Sequence, residues 1–408
     1  MKFAASLCVV ASFLTSCTKL IEIPSNPPSK IPQNVLFADS AGIMSALTGI
    51  YTGFNPTQLN FYSAGVTIIT GLAGDEIITS PSALPSDVAI MNNDILSTEG
   101  RMSSSWRDAY TNLFRINSFL ENINGTTAIS DKLKNQLTGE AKFARAYTYF
   151  HLVNLYGGVP LITTTDYKAN KTVPRATIDA VYQLIMSDLT EAKALLLDNY
   201  PSEGRARPNK MAANALLARI YLYRGQWNNA ELAANDVITS GPYNLVSLSS
   251  IFLKGSNESI WQLPSNGSFS QTAEAFNFMP APWSAYPDFI LSPFLEFESG
   301  DKRKTEWTGT MTVMGTPYTH PAKYKQRDLP VNGVPAEDLV MIRLSEMYLI
   351  RAEARARQEK NTEAIADLSQ IRNPSRVGLA AYSGPVTSTA IIAAILKERR
   401  IELFCEGH

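Results

Sequence analysis

The chain has 408 residues, 45% hydrophobic and 18% charged, which suits a globular protein with a large core and excludes a disordered or fibrous one. Its 36 basic residues nearly cancel its 37 acidic ones, and no basic block interrupts the sequence, so no nucleic-acid partner is expected.

Lys2 precedes an apolar run from Phe3 to Leu14. A bilayer-spanning helix needs about twenty residues, so this shorter run reads as a secretory signal over residues 1–16. Leu14-Thr15-Ser16-Cys17 resembles the bacterial lipoprotein cleavage box, in which the signal is removed before the cysteine. Cys17 is then the lipid attachment site; cleavage elsewhere leaves a stray secreted thiol. Cys8 leaves with the signal, so Cys405 is the other cysteine of the mature chain and no internal disulfide is available. Residues 17–36 carry Pro24, Pro27, Pro28 and Pro32 and read as an extended, lipidated tether.

A first helix is expected over Ala38–Tyr51, capped at Asp39-Ser40. Asn55 to Thr98 is rich in Pro, Gly and Ser and reads as loop; it holds Phe61, Tyr62 and the pair Asp75-Glu76. That pair fits a helix cap or, alternatively, a ligand contact through Asp75. Trp106, Tyr110, Leu113, Ile116, Leu120 and Ile123 step by three and four along one helix face. Leu133–Tyr156 is the next helix, stopped by Gly157-Gly158, and Thr177–Leu197 follows with Thr177 as its cap.

Met211 to Pro242 organises the chain. Two helical patterns meet at Gly225-Gln226, and Leu217, Tyr221, Ala230 and Pro242 fall at tetratricopeptide positions, with Asn214 where Trp is common. Ala215, Ala218, Ala230, Ala233 and Ala234 let two antiparallel helices approach closely. Such a pair cannot bury its apolar face alone, so stacked neighbours are implied. From Tyr243 to Ala336 the helical period fades and prolines recur; an insert this long usually carries function. Helices return at Ile342–Arg357, Thr362–Ile371 and Thr389–Phe404, with Ala352, Ala364 and Leu368 fitting a second tetratricopeptide-like unit. The fold class is therefore mostly all-α, a tetratricopeptide-like scaffold of helix pairs with a large loop-rich insert. Residues 37–242 form an N-terminal helical region, and residues 243–408 hold the insert (243–336) and the final helices (342–404).

Four blocks then point to a family. They are Gly139-Glu140-Ala141-Lys142-Phe143-Ala144-Arg145-Ala146-Tyr147 continuing to Tyr156-Gly157-Gly158-Val159-Pro160; Ala215-Leu216-Leu217-Ala218-Arg219-Ile220-Tyr221; Ile342-Arg343-Leu344-Ser345-Glu346-Met347-Tyr348-Leu349; and Glu398-Arg399-Arg400-Ile401-Glu402-Leu403, ending Glu406-Gly407-His408. In this order, after a lipoprotein box, they resemble the starch-utilisation D-type family, also called RagB/SusD. The resemblance implies an outer-membrane lipoprotein exposed on the cell surface, which captures an oligosaccharide, or sometimes a peptide, without catalysis. It also implies a TonB-dependent β-barrel transporter as partner. In the family the Glu-Gly-His block usually continues with Arg-Trp, whereas this chain stops at His408, as a truncated product or fragment would.

No catalytic constellation stands out. His151, His320 and His408 have no metal-ligand neighbours at useful spacing, and neither a nucleophile elbow nor a phosphate-cradling loop is present. No cofactor is expected, with Ca²⁺ left open because oxygen ligands abound. Glu398, Arg399, Arg400 and Glu402 read as a structural ion-pair network on the last helix. The insert is the better place for function. Sugar rings have flat C–H faces that aromatic rings can cover and hydroxyl rims that polar side chains can read. Trp283 and Tyr286 lie in Met-Pro-Ala-Pro-Trp-Ser-Ala-Tyr-Pro, a stiff stretch that limits the entropy lost on binding. Trp307, Tyr62 and Asp75 complete the expected ligand-binding set, while Trp106, Trp227 and Trp261 read as core. A scaffold that binds only protein partners is the alternative.

Overall fold

The computed structural model describes residues 32–408 apart from 56, 58, 97, 266–270 and 329–335. The signal and Cys17 thus lie outside the described residues. The tether's last residues, Gln33–Leu36, form a short helix whose Gln33 amide donates to Ser118 Oγ (2.9 Å), so this part is docked rather than extended.

Helix α1 spans Ser40–Gly53, and the Asp39 carboxylate accepts from Gly42 N–H (2.7 Å) at its start. The stretch read as loop up to Thr98 contains helix α2, Gly65–Ala73, and strand β1, Ile77–Thr79, with a further short helix at Pro85–Met91. Helix α2 reads GVTIITGLA and is buried nearly all round, so its sequence shows no polar face and no helical period. Helices α3 (Gly100–Ile123), α4 (Asp131–Tyr156) and α5 (Ile178–Leu195) follow as expected.

Helices α6 (Lys210–Tyr223) and α7 (Trp227–Ser240) form the central pair, with Ala212, Ala213, Ala215, Ala218, Ala230 and Ala234 fully buried. Asn214, in place of the common Trp, bridges the pair: its amide donates to Ala233 O (3.1 Å) and Asp236 Oδ2 (2.8 Å). The insert then supplies strands β2 (Ser259–Leu263), β3 (Phe289–Leu291), β4 (Thr308–Val313) and β5 (Thr316–Pro321). Strand β6 (Leu339–Arg343) runs straight into α8 (Leu344–Arg357), so the helix expected from Ile342 starts two residues later. Helices α9 (Asn361–Ile371) and α10 (Ser388–Leu403) close the fold.

Three antiparallel ladders, β1–β3, β2–β6 and β4–β5, replace the irregular insert expected from its prolines. The fold remains a stack of helix pairs. Helix α4 packs on α5, α5 on α6, α6 on α7, α7 on α8 and α8 on α9. Helices before and after the insert are therefore neighbouring layers. Arg219 of α6 makes a two-pronged contact with Glu346 of α8 (2.6 and 2.7 Å) across that junction, and both side chains are buried. Among the described residues no helix is long and apolar enough to cross a membrane.

Candidate functional site

The described surface of the insert offers one organised group of rings. Thr272 caps a short helix, Ala273–Phe278, by accepting from Ala275 N–H (3.1 Å). Ala273, Glu274, Ala275 and Phe278 face inward, while Phe276 is half exposed. Pro280, Pro282 and Pro287 then deny the next segment three backbone donors, so it cannot extend a ladder and forms a stiff loop. Ser284 N–H donates to Ala281 O (3.0 Å), turning the loop at its tip, where Trp283 is 80% exposed. Tyr286 is half-buried and meets Tyr318 of β5 edge-on, with ring centroids 5.5 Å apart.

The β4–β5 hairpin that carries Tyr318 is turned by Met314 and Gly315, both at positive φ, 49° and 82°. Gly309 is required in β4, since a Cβ there would sit 2.4 Å from the His320 ring. Arg327 ties the loop together. Its guanidinium carbon lies 4.6 Å from the centre of Phe276 and 5.8 Å from that of Trp283. Its Nε donates to Met279 O (2.9 Å) and its Nη1 to Asp328 (3.2 Å). Rings, a planar cation and the Asp328 carboxylate surround an exposed indole, an arrangement that can stack on a flat face and hydrogen-bond a polar rim. Phe276, Tyr318 and Arg327 are absent from the sequence-based set; nothing in their local pattern separates them from core residues.

The structure brings together Trp283 and Tyr286 but not the rest of that set. Trp307 is 1% exposed, donates to Leu248 O (3.3 Å) and covers the Lys323 ammonium at 4.6 Å, so it is core. Tyr62 is buried, its hydroxyl 2.8 Å from Thr148 Oγ1, and burial pushes that hydroxyl's pKa far up. Neither ring can face a ligand here. Asp75 is exposed but follows the end of α2 at φ 56° and caps no helix. Its carbonyl accepts from Arg400 (2.6 Å), and it lies at the end of the β1–β3 ladder opposite the platform loop. Of the rings read as core, Trp261 is fully buried, and Trp106 and Trp227 pack partly buried against the core.

The carboxylates that look catalytic on paper are sealed in an ionic block. Glu402 accepts from Arg343 (2.7 Å), Arg303 (2.9 Å) and Arg376 (2.9 Å), and Glu398 accepts from Arg303 (2.6 Å) and Arg372 (3.0 Å). Burial alone raises the Glu402 carboxyl, but Arg376, Arg343 and Arg303 outweigh it and hold it well below the usual range. His151 is buried edge-on to Tyr147 at 4.6 Å, and burial lowers its pKa to about 3, so it stays neutral. Among the described residues no group of three or more His, Cys, Asp or Glu side chains is placed to hold a metal ion.

Comparison with known proteins agrees with this architecture. Residues 66–222 match a family model described as starch-binding and associating with the outer membrane, and residues 298–408 match the SusD family model. The chain belongs to the SusD family. SusD-like protein P2 of Formosa agariphila is 24% identical over 99% of this chain and 88% of its own length. SusD-like protein P25 of the same organism is 26% identical over 57% of this chain, which spans only 45% of that relative. A solved laminarin-binding SusD-like protein superposes with a TM-score of 0.76 at 24% identity, covering 91% of this chain and 90% of that one. The description of the first family model names starch binding, and that of the solved neighbour names laminarin binding.

Proposed function

We propose that this SusD-family protein captures an oligosaccharide on the Trp283–Tyr286 platform and delivers it to a TonB-dependent outer-membrane transporter. In this reading it is anchored to the outer membrane by lipid at Cys17 and exposed outside the cell. The observation that carries the ligand claim is Trp283, 80% exposed on a proline-stiffened loop and backed by Arg327. Its indole is pre-positioned, so a sugar face can cover it with little ordering cost. Tyr286 adds a second ring on the same loop with its hydroxyl available for the sugar's rim. The laminarin-binding relative of the same fold supports a glycan as the ligand class.

Affinity electrophoresis and calorimetry against a polysaccharide panel test the ligand claim. Trp283→Ala is expected to cost about 2 kcal/mol, roughly thirtyfold in Kd, as a central aromatic anchor does. Binding that survives both Trp283→Ala and Tyr286→Ala moves the site elsewhere. Co-purification with a β-barrel transporter tests delivery, and loss of palmitate labelling in Cys17→Ala tests the anchor.

A further inference from the structure

The charges around the platform are unequal. Arg327 is the cation that packs on its rings, and two of its nitrogens are committed to Met279 O and Asp328. Its side chain is only 15% exposed, whereas that of Asp328 is 63% exposed. Asp288 follows Pro287 at the end of the loop and is exposed. Its carboxyl is raised by partial burial and lowered by Arg327, which places it in the field of the same guanidinium. Asp87, the other charge that acts on Asp288, is buried on Arg101 (2.5 Å).

We infer that the platform selects neutral glycans and rejects anionic ones, because Asp288 and Asp328 outnumber the one, already occupied, guanidinium at its edge. The inference rests on the glycan-binding reading above. Sugar hydroxyls donate hydrogen bonds to carboxylates, and such charge-assisted bonds are strong. A sulfated sugar or a uronate keeps hydroxyl donors but adds an anionic group that meets like charge there, so rejection comes from repulsion rather than from a missing contact. A unit charge about 6 Å from each carboxylate in a water-like medium weakens binding roughly threefold per carboxylate; Arg327 offsets one of the two, which leaves about threefold.

Calorimetry on the full chain with laminarin, amylose and xylo-oligosaccharides, each beside its carboxymethylated form, tests this. The neutral form is expected to bind about threefold more tightly at low salt, with the gap closing near 0.5 M salt, where the screening length falls to a few ångströms. Asp288→Asn is expected to close the same gap at low salt, and Asp288→Asn with Asp328→Asn to close or reverse it. Equal or tighter binding of the carboxymethylated glycan overturns the inference and leaves the glycan site standing. A gap indifferent to both salt and the double substitution overturns it too, by assigning the discrimination to bulk. Failure of every glycan in the panel, neutral and anionic, removes the platform reading and this inference with it.

Discussion

Two tryptophans of the insert stand next to cations, and their surroundings differ in every respect that matters. Trp307 covers the Lys323 ammonium inside the ionic block, where Lys323 donates to Glu402 O (2.8 Å) and pairs with Glu406 (2.5 Å). Trp283 meets Arg327 at the surface, and its indole remains 80% exposed. The same pairing of ring and cation is a core plug in one place and, in the function proposed above, a ligand platform in the other. What separates them is whether every charge nearby is compensated away from water.

The ionic block is the sharpest place to break this contrast. Glu402 serves Arg303, Arg343 and Arg376 at once, so Glu402→Gln leaves three buried guanidinium groups short of a counter-charge. Removing one partner of a buried pair costs about 3–5 kcal/mol, and we expect a loss of that size in urea unfolding. Trp307→Ala opens a cavity in the same region and is expected to cost a comparable 3–5 kcal/mol, about the most a single ring deletion removes. Unfolding curves that coincide with those of the unaltered protein contradict both expectations.

How stability depends on pH follows from carboxyls with opposite shifts. Glu402 is held well below the usual range, so its contribution is present above the unfolded pKa and lost as pH falls through the folded one. Glu274 and Glu76 are raised to about 7, chiefly by burial. For these two the folded state binds the proton more tightly. They favour folding below the unfolded pKa near 4.5, and that advantage is lost as pH rises towards 7. Stability is therefore expected to fall from mildly acid towards neutral pH, by up to a few kcal/mol if both shifts act fully. Glu274→Gln keeps an acceptor for Ala64 N–H, bonded at 2.7 Å in the parent, and is expected to flatten the slope between pH 5 and 8. A slope unchanged in that variant assigns the dependence to other groups.

Most of the scaffold was legible because helices that bury one face leave a period in the sequence. Asp39 and Thr177 cap the helices expected of them, and α3 through α7 fall within a few residues of their expected places, apart from an earlier start to α3. Helix α2 was not legible, since burial on nearly all sides erases the alternation that reveals a helix. The ladders of the insert were hidden differently. β1 pairs with β3 and β2 with β6 across long stretches of chain, so no local turn announces either partner. The platform was half legible. Proline spacing marked the loop of Trp283 and Tyr286, but Arg327 reaches it from beyond the β4–β5 hairpin. Trp307 and Tyr62 looked equivalent to Trp283 because composition and spacing carry no information about which ring the fold encloses.

The smallest effect sharpens the comparison most. Arg327→Gln keeps a polar group but removes the planar cation that spans Phe276, Met279 and Trp283. A partly exposed guanidinium with one neutral and one charged hydrogen bond contributes about 1 kcal/mol to stability, so we expect a loss of at most that size. In the proposed function its larger duty is to hold the loop in the shape a sugar would meet. Without it the loop must be ordered at the moment of binding, at about 0.5–1.5 kcal/mol for each side chain immobilised, which is a few-fold rise in Kd. The comparable change in the core, Lys323→Met, removes the charge that Glu406 requires, so stability should drop before any effect on binding can be measured. If Arg327→Gln destabilised the fold as much as Lys323→Met, the platform would be an extension of the core rather than a surface poised for a ligand.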